Sequence, residues 1–92
     1  MTFPLRQRSP RYNKLKKRAL EIFERHGGWL KPPEWAGLAA FYPVRAAYSY
    51  LKRLHQFGLL ERGGDSTPFV VYRLSYKGRE RLVWLLRRSG TL

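Results

Sequence analysis

Hydrogen-bonding side chains recur at helical spacing between residues 44 and 57. Four of them fall at positions i, i+4, i+7 and i+11, which is one face of a helix at about 100° per residue: Arg45, Ser49, Lys52 and Gln56. Their groups can donate hydrogen bonds to anionic oxygens or to acceptor atoms on base edges. The segment contains no carboxylate that would neutralise them. This face therefore favours binding of an anionic partner.

The rest of this segment predicts an amphipathic helix over residues 43–57. Its apolar positions fall on the opposite side, and Gly58 supplies a glycine stop. The residues expected to face outward or to flank that face are Arg45, Ala46, Tyr48, Ser49, Lys52, Arg53 and Gln56. A polar outward face is also what any amphipathic helix presents to water, so the other elements must decide between the two interpretations.

The remaining titratable residues predict no catalysis. The six Asp and Glu residues are scattered, and cysteine is absent. His26 is expected in the core stripe of the first helix and His55 on a helix surface. Gly63-Gly64 lacks the following Lys and helix of a phosphate-binding loop. We therefore expect no catalytic residue, no metal site and no cofactor, and a protein that is not an enzyme.

The charge of the chain points to a class of partner. Its 92 residues carry 19 Lys and Arg against 6 Asp and Glu, a net charge of +13, so a polyanion such as nucleic acid is the expected partner. A solvated basic surface and adhesion to anionic membrane are the alternatives. With 43% hydrophobic residues the chain is too apolar for a disordered tail.

This length fits one domain, predicted over residues 13–88. Residues 1–12 form a basic arm, since Pro4 and Pro10 argue against a helix before about Tyr12. The arm either follows a minor groove or is disordered, and residues 89–92 are expected to fray.

Every apolar run is shorter than the roughly 20 residues that span a bilayer. We therefore expect a cytoplasmic protein without a membrane segment.

Hydrophobic periodicity places two helices before this segment. The first carries a stripe at helical spacing, leaves Lys16 on its other face and stops at Gly27-Gly28. The stripe consists of Leu15, Ala19, Ile22, Phe23 and His26. Residues 29–31 can form one β-bridge. A short second helix over residues 33–40 offers Trp35, Leu38 and Ala39 for burial.

A hairpin and a last helix follow. The turn formers of residues 63–68 separate two β-prone runs, so residues 60–74 predict a two-stranded hairpin. Ser75 caps a fourth helix, whose inner stripe is Leu82, Leu85 and Leu86. Val83 and Trp84 are then left facing outward. The aromatic residues expected in the core are Phe23, Trp29, Trp35, Phe57, Phe69 and Tyr72.

Two stretches resemble winged helix-turn-helix regulators of the MarR, PadR and ArsR types. The run from Tyr50 to Arg62, YLKRLHQFGLLER, is similar to the exit of their recognition helix, and YRLSYKGRE from Tyr72 to Glu80 is similar to their second wing strand and next helix. The chain departs from the pattern at Phe41-Tyr42-Pro43-Val44, and the long flanking helices of the MarR dimer are expected to be missing or abbreviated. The resemblance implies an α+β fold, with a three-helix core, a two-stranded wing and a C-terminal helix.

The resemblance further implies sequence-specific binding of double-stranded DNA by a small transcriptional regulator. Helix 43–57 would enter the major groove, with Arg45 near a guanine. The wing would lie on the adjacent backbone or minor groove and contribute Arg62 and Arg73, for which cross-strand pairing with Glu61 is the alternative. A homodimer through Val83 and Trp84 is expected, with the first helix as a second candidate contributor. The alternative function is a winged-helix module for protein or RNA contacts in a larger complex.

Overall fold

Four helices and a two-stranded sheet follow the predicted order. The computed structural model describes residues 10–64 and 69–88, so residues 65–68 of the predicted turn, residues 89–92 and most of the predicted arm lie outside the described residues. The elements are α1 Pro10–His26, α2 Pro32–Ala39, α3 Val44–Gln56, β1 Leu60–Gly63, β2 Val71–Leu74 and α4 Tyr76–Arg88. The prediction of a winged-helix α+β fold is confirmed.

Helix α1 begins at Pro10, earlier than predicted, because proline fits the first turn of a helix, where its missing N–H has no intrahelical acceptor. It ends where Gly27 adopts a φ of 75° and donates its amide to the Phe23 carbonyl. The glycine stop is therefore confirmed.

The buried face of α1 is rotated from the predicted stripe. Ala19, Leu20 and Phe23 are buried, whereas the expectation that His26 lies in the core is wrong because this residue is exposed. Lys16, expected on the other face, is 5% exposed. Its ammonium nitrogen lies 6.0 Å from the centroid of the Phe57 ring, so the aliphatic stem is covered while the charge meets an aromatic face.

The three-helix core is built around Trp35 of α2. Its indole is fully buried, and its Nε1 donates to the Ala19 carbonyl at 3.4 Å. Three rings surround it, with centroids 5.2–6.4 Å away: Phe23, Phe41 and Tyr50. The expectation that Leu38 is buried is wrong, since it is 57% exposed and Ala36 is buried instead. A small residue there lets α2 lie close to its neighbours.

Helix α3 starts without a side-chain cap. Pro43 is the N-cap residue, and its carbonyl accepts the Ala46 amide at 2.9 Å. Ala47, Leu51 and Leu54 are buried against the other helices, as predicted. The opposite side of α3 is therefore the solvent side, which fixes the direction of its polar residues.

The wing consists of two strands, and a third segment is bridged to it. Strands β1 and β2 are antiparallel, with Arg62 opposite Tyr72 and Glu61 opposite Arg73. The strap, residues 29–31, adds the predicted bridge, since Leu30 and Tyr72 exchange both backbone hydrogen bonds at 2.8 and 2.9 Å. The strap thus ties the wing to the segment between α1 and α2.

Helix α4 is joined to the base of the wing. The Ser75 hydroxyl accepts the Gly78 amide at 2.9 Å and donates to the Gly58 carbonyl at 2.6 Å, so the predicted cap is confirmed. A Cβ on Gly78 would lie 2.0 Å from the Leu59 carbonyl oxygen. Only glycine therefore allows this close approach.

Three aromatic residues predicted for the core are exposed. Trp29, Phe57 and Phe69 are 40%, 49% and 56% exposed, so this expectation is wrong for them. Each ring lies instead beneath a cationic side chain: Arg73 over Trp29, Lys16 near Phe57 and Lys31 over Phe69. The small core is already filled, and the cations cover part of the remaining rings.

Candidate nucleic-acid interface

The outward face of α3 is a row of polar side chains. Arg45, Ser49, Lys52 and Gln56 are all exposed along it, opposite the buried Ala47, Leu51 and Leu54. The row carries two cations, Arg45 and Lys52, two neutral hydrogen-bonding side chains and no carboxylate, so its net charge is positive.

A groove of about 650 Å³ separates this face from the wing. Five of the nine predicted site residues line it: Tyr48, Ser49, Lys52 and Gln56 on α3, and Arg62 on β1. The ammonium of Lys52 and the guanidinium of Arg62 thus belong to different elements on one concave surface. Two cationic walls around a groove suit a chain of phosphates better than a single small anion.

His55, Val70 and Tyr72 also line the groove, and sequence reasoning missed all three. The His55 Nδ1 donates to the Leu60 carbonyl at 3.0 Å, and its ring centroid lies 6.0 Å from that of Tyr72. His55 therefore fastens the end of α3 to the wing. Its position seven residues after Tyr48 was the available signal, because that spacing puts both on the flank nearest the wing.

Arg73 lies on the other face of the wing. Its Nε donates to the Glu61 Oε1 at 2.7 Å, and its guanidinium carbon lies 4.5 Å from the centroid of the Trp29 ring. Strand alternation explains this position, since Arg73 follows Tyr72 and successive side chains point to opposite faces. Pairing with Glu61 across the strands, the alternative considered for Arg73 from the sequence, is therefore the arrangement found. Arg73 does not line the groove.

The other three predicted residues lie around the groove without lining it. Arg45 is exposed in the first turn of α3, Arg53 is exposed on the flank away from the wing, and Ala46 is half-buried. Arg45 therefore extends the polar row beyond the groove toward the start of the helix.

A smaller pocket of about 310 Å³ lies on the back of the wing. Two ion pairs contribute to its surroundings, Arg73 with Glu61 and Arg79 with Glu24 at 3.1 Å. Tyr76 also lines it, and a hydrogen bond to Glu80 raises the pKa of the Tyr76 hydroxyl. The acids here are engaged by arginines, so this side offers fewer free cations than the groove.

Among residues 10–64 and 69–88, no group of three His, Cys, Asp or Glu residues could hold a metal ion. Within the same ranges, no helix is both long and apolar enough to cross a membrane.

The fold is similar to that of the crystal structure of the transcriptional regulator BldR from Sulfolobus solfataricus, with a TM-score of 0.68. The sequences are 21% identical, and the match covers 80% of this chain and 52% of that chain. The chain thus spans about half the length of that structure. Neither a protein-family model nor a curated protein sequence matches the chain.

Proposed function

We propose that this protein binds double-stranded DNA sequence-specifically and acts as a small transcriptional regulator in the cytoplasm rather than as an enzyme. The observation that carries the proposal is the groove between α3 and the wing, which has cations on both walls. A helix with its side chains is about 10–12 Å across and the major groove about 12 Å wide, so α3 fits there. The wing then reaches the adjacent backbone or minor groove.

The polar row divides into base-reading and phosphate-binding parts. Arg45 and Ser49 protrude from the early turns of α3 and are assigned to base edges, with Ala46 and Tyr48 offering apolar contact to a thymine methyl. Lys52, Arg53, Gln56 and Arg62 are assigned to phosphates, which fix the position of the protein on the duplex. Arg73 has a smaller share because Glu61 already engages it.

A homodimer through α4 completes the proposal. Val83 and Trp84 are 42% and 47% exposed on the outer side of this helix, and α1 packs beside it as a second candidate contributor. A twofold dimer would bind a palindromic site with one α3 in each half. The name of BldR as a transcriptional regulator supports the regulatory role by likeness of fold.

The proposal is tested by fluorescence anisotropy with a random duplex pool and single-stranded RNA of equal length over a salt series. We expect the duplex to bind more tightly, with log affinity falling against log salt at a slope of about −5 to −7 for 6–8 phosphates. Equal binding of the two at every salt concentration would favour the protein or RNA docking module. Binding to anionic vesicles without duplex affinity would favour membrane adhesion.

Arg45→Ala separates base reading from general attraction. We expect it to lose about 1–3 kcal/mol of discrimination on a selected site while binding to random duplex persists. Arg25→Ala, at an exposed arginine on the last turn of α1, is the matched control and should keep discrimination. Equal loss in both variants would remove Arg45 from the set of base-reading residues.

A further inference from the structure

The outer ridge of α4 combines apolar and charged residues at helical spacing. Tyr76, Glu80, Val83 and Arg87 follow one another at i, i+4, i+7 and i+11, and all four are exposed. Trp84 stands beside Val83, while the buried residues of α4 lie on the opposite side of the helix. This ridge, residues 76–87, is therefore a continuous outward surface.

The ridge carries opposite charges at equal distances on either side of its midpoint. Glu80 is the only acid of α4, and Arg87 follows seven residues later. Seven residues turn the helix to within about 20° of the starting direction and advance it about 10.5 Å. The point midway between Glu80 and Arg87 falls between Val83 and Trp84, the apolar centre of the ridge.

We propose that α4 pairs antiparallel with α4 of a second copy of this chain, about a twofold axis between Val83 and Trp84. The inference rests on the homodimer proposed above and specifies its register. In this arrangement Glu80 faces Arg87 of the partner subunit, and symmetry forms the same pair again at the other end. Near the axis Val83 packs against Trp84 of the partner subunit, and Trp84 packs against Val83 of the partner subunit.

Charge complementarity favours this occupant and this direction. A parallel pairing in register would bring Glu80 against Glu80 of the partner subunit and arginine against arginine, which is repulsive. The antiparallel pairing converts both contacts into attraction without any change of residue. An unrelated partner would need this charge order and an apolar centre, whereas a second copy has both.

The groups on the ridge are able to form these contacts. Glu80 accepts a hydrogen bond from the Tyr76 hydroxyl one turn earlier, which leaves its second carboxylate oxygen as an acceptor. Arg81 and Arg88 place their guanidinium carbons 5.6 and 5.1 Å from the centroid of the Trp84 ring and hold the ring at the edge of the ridge. Within the part of the chain that the structure describes, Arg87 has no salt-bridge partner.

The experiment is sedimentation equilibrium of the full chain without nucleic acid, at roughly 1–100 µM, because a pair of short helices buries less than a standard interface. We expect E80R and R87E each to raise the dimer dissociation constant at least about tenfold, since each change makes both symmetry-related contacts repulsive. The double variant E80R/R87E should regain dimerisation. An equimolar mixture of the two single variants should form a heterodimer, because every contact in it again joins an acid to a base.

A control variant separates loss of the proposed contacts from a change in net charge. K31E changes the net charge as R87E does but lies at the start of α2, and it should dimerise like the unsubstituted protein. Circular dichroism checks that each variant is folded. A monomer at every concentration overturns the proposal, and so do single variants that remain dimeric or a double variant that remains monomeric. Duplex binding of the unsubstituted protein is measured separately, so dimerisation that follows these expectations without duplex affinity would overturn only the DNA-binding proposal.

Discussion

The two faces of the wing carry similar residues in different surroundings. On the front, Arg62 opposite Tyr72 lines the groove beside α3. On the back, Arg73 opposite Glu61 is held by that carboxylate and by the Trp29 ring. Composition alone treats both arginines as candidates for the same role. Because side chains alternate along the strands, Arg62 lines the groove and Arg73 lies on the opposite face, where Glu61 pairs with it.

The largest expected effect comes from disturbing the close contact between α4 and the wing, which supports both faces of the wing. Gly78→Ala should lower the free energy of unfolding by about 3 kcal/mol or more, because the new Cβ would overlap the carbonyl of Leu59, the residue before β1. Urea denaturation followed by circular dichroism measures it. Gly37→Ala is the matched control, since a Cβ there meets nothing within 4 Å, and it should stabilise α2 or leave it unchanged. Equal stability of the two variants would contradict the close contact.

A substitution at His55 should have a smaller effect on stability and should disturb only the front face of the wing. His55→Ala removes the hydrogen bond from α3 to the Leu60 carbonyl and the contact with Tyr72, so we expect a loss of about 1–2 kcal/mol in stability and weaker duplex binding. His26→Ala, at an exposed position, should stay within about 0.5 kcal/mol of the unsubstituted protein. If both variants behave alike, His55 does not fasten the helix to the wing.

The two arginines themselves give the direct test of the comparison. Arg62→Ala should reduce the steepness of the salt dependence of duplex binding by about 0.9, the share of one phosphate contact. Arg73→Ala should change that slope by much less, because Glu61 already engages Arg73, and it should lower the free energy of unfolding by less than about 1 kcal/mol, because this ion pair is half-exposed. Anisotropy and urea denaturation are measured on both proteins. An equal change of slope in both would remove the distinction between the faces.

The smallest expected change in stability comes from neutralising Glu61, the acid on the back face of the wing. Glu61→Gln keeps the shape of the side chain and removes its charge, so stability should change by less than about 0.5 kcal/mol. Added salt should raise the unfolding midpoint of this variant more than that of the unsubstituted protein, because salt still screens the repulsion within a chain of net charge +13 but no longer weakens this attraction. Glu34→Gln, at the acid that accepts the Lys31 amide outside the wing, is the comparison variant. An unchanged salt response after Glu61→Gln would contradict an ionic role for the pair.

The order of the elements could be predicted because each boundary has a local chemical cause. Gly27 ends α1 with a positive φ and Ser75 caps α4, and both effects act within one turn of the chain. The bridge at Leu30 was equally visible as a short apolar run between a glycine pair and a proline pair. Such features need no knowledge of distant residues.

Burial was predicted less well because it depends on which distant surfaces are already covered. Leu38 is exposed although its type favours the interior, since Trp35 and Ala36 fill the contact of α2. Lys16 is buried although it is charged, and its ammonium nitrogen lies 6.0 Å from the ring centroid of Phe57, a residue 41 positions later in the chain. For the site, spacing identified the polar row of α3, but membership of the groove also required the wing register, which placed Tyr72 inside it and Arg73 outside.

The bridge between Leu30 and Tyr72 has a kinetic consequence. These two residues are far apart in the chain, so their reciprocal backbone bonds close a long loop that gains nothing until α2, α3 and the wing are brought together. The two amide protons are therefore expected to exchange with deuterium only when the whole domain opens, while amides at the edge of β1 exchange through local opening. The bridge makes the wing part of the cooperative folding unit, so it is held in place before any ligand arrives.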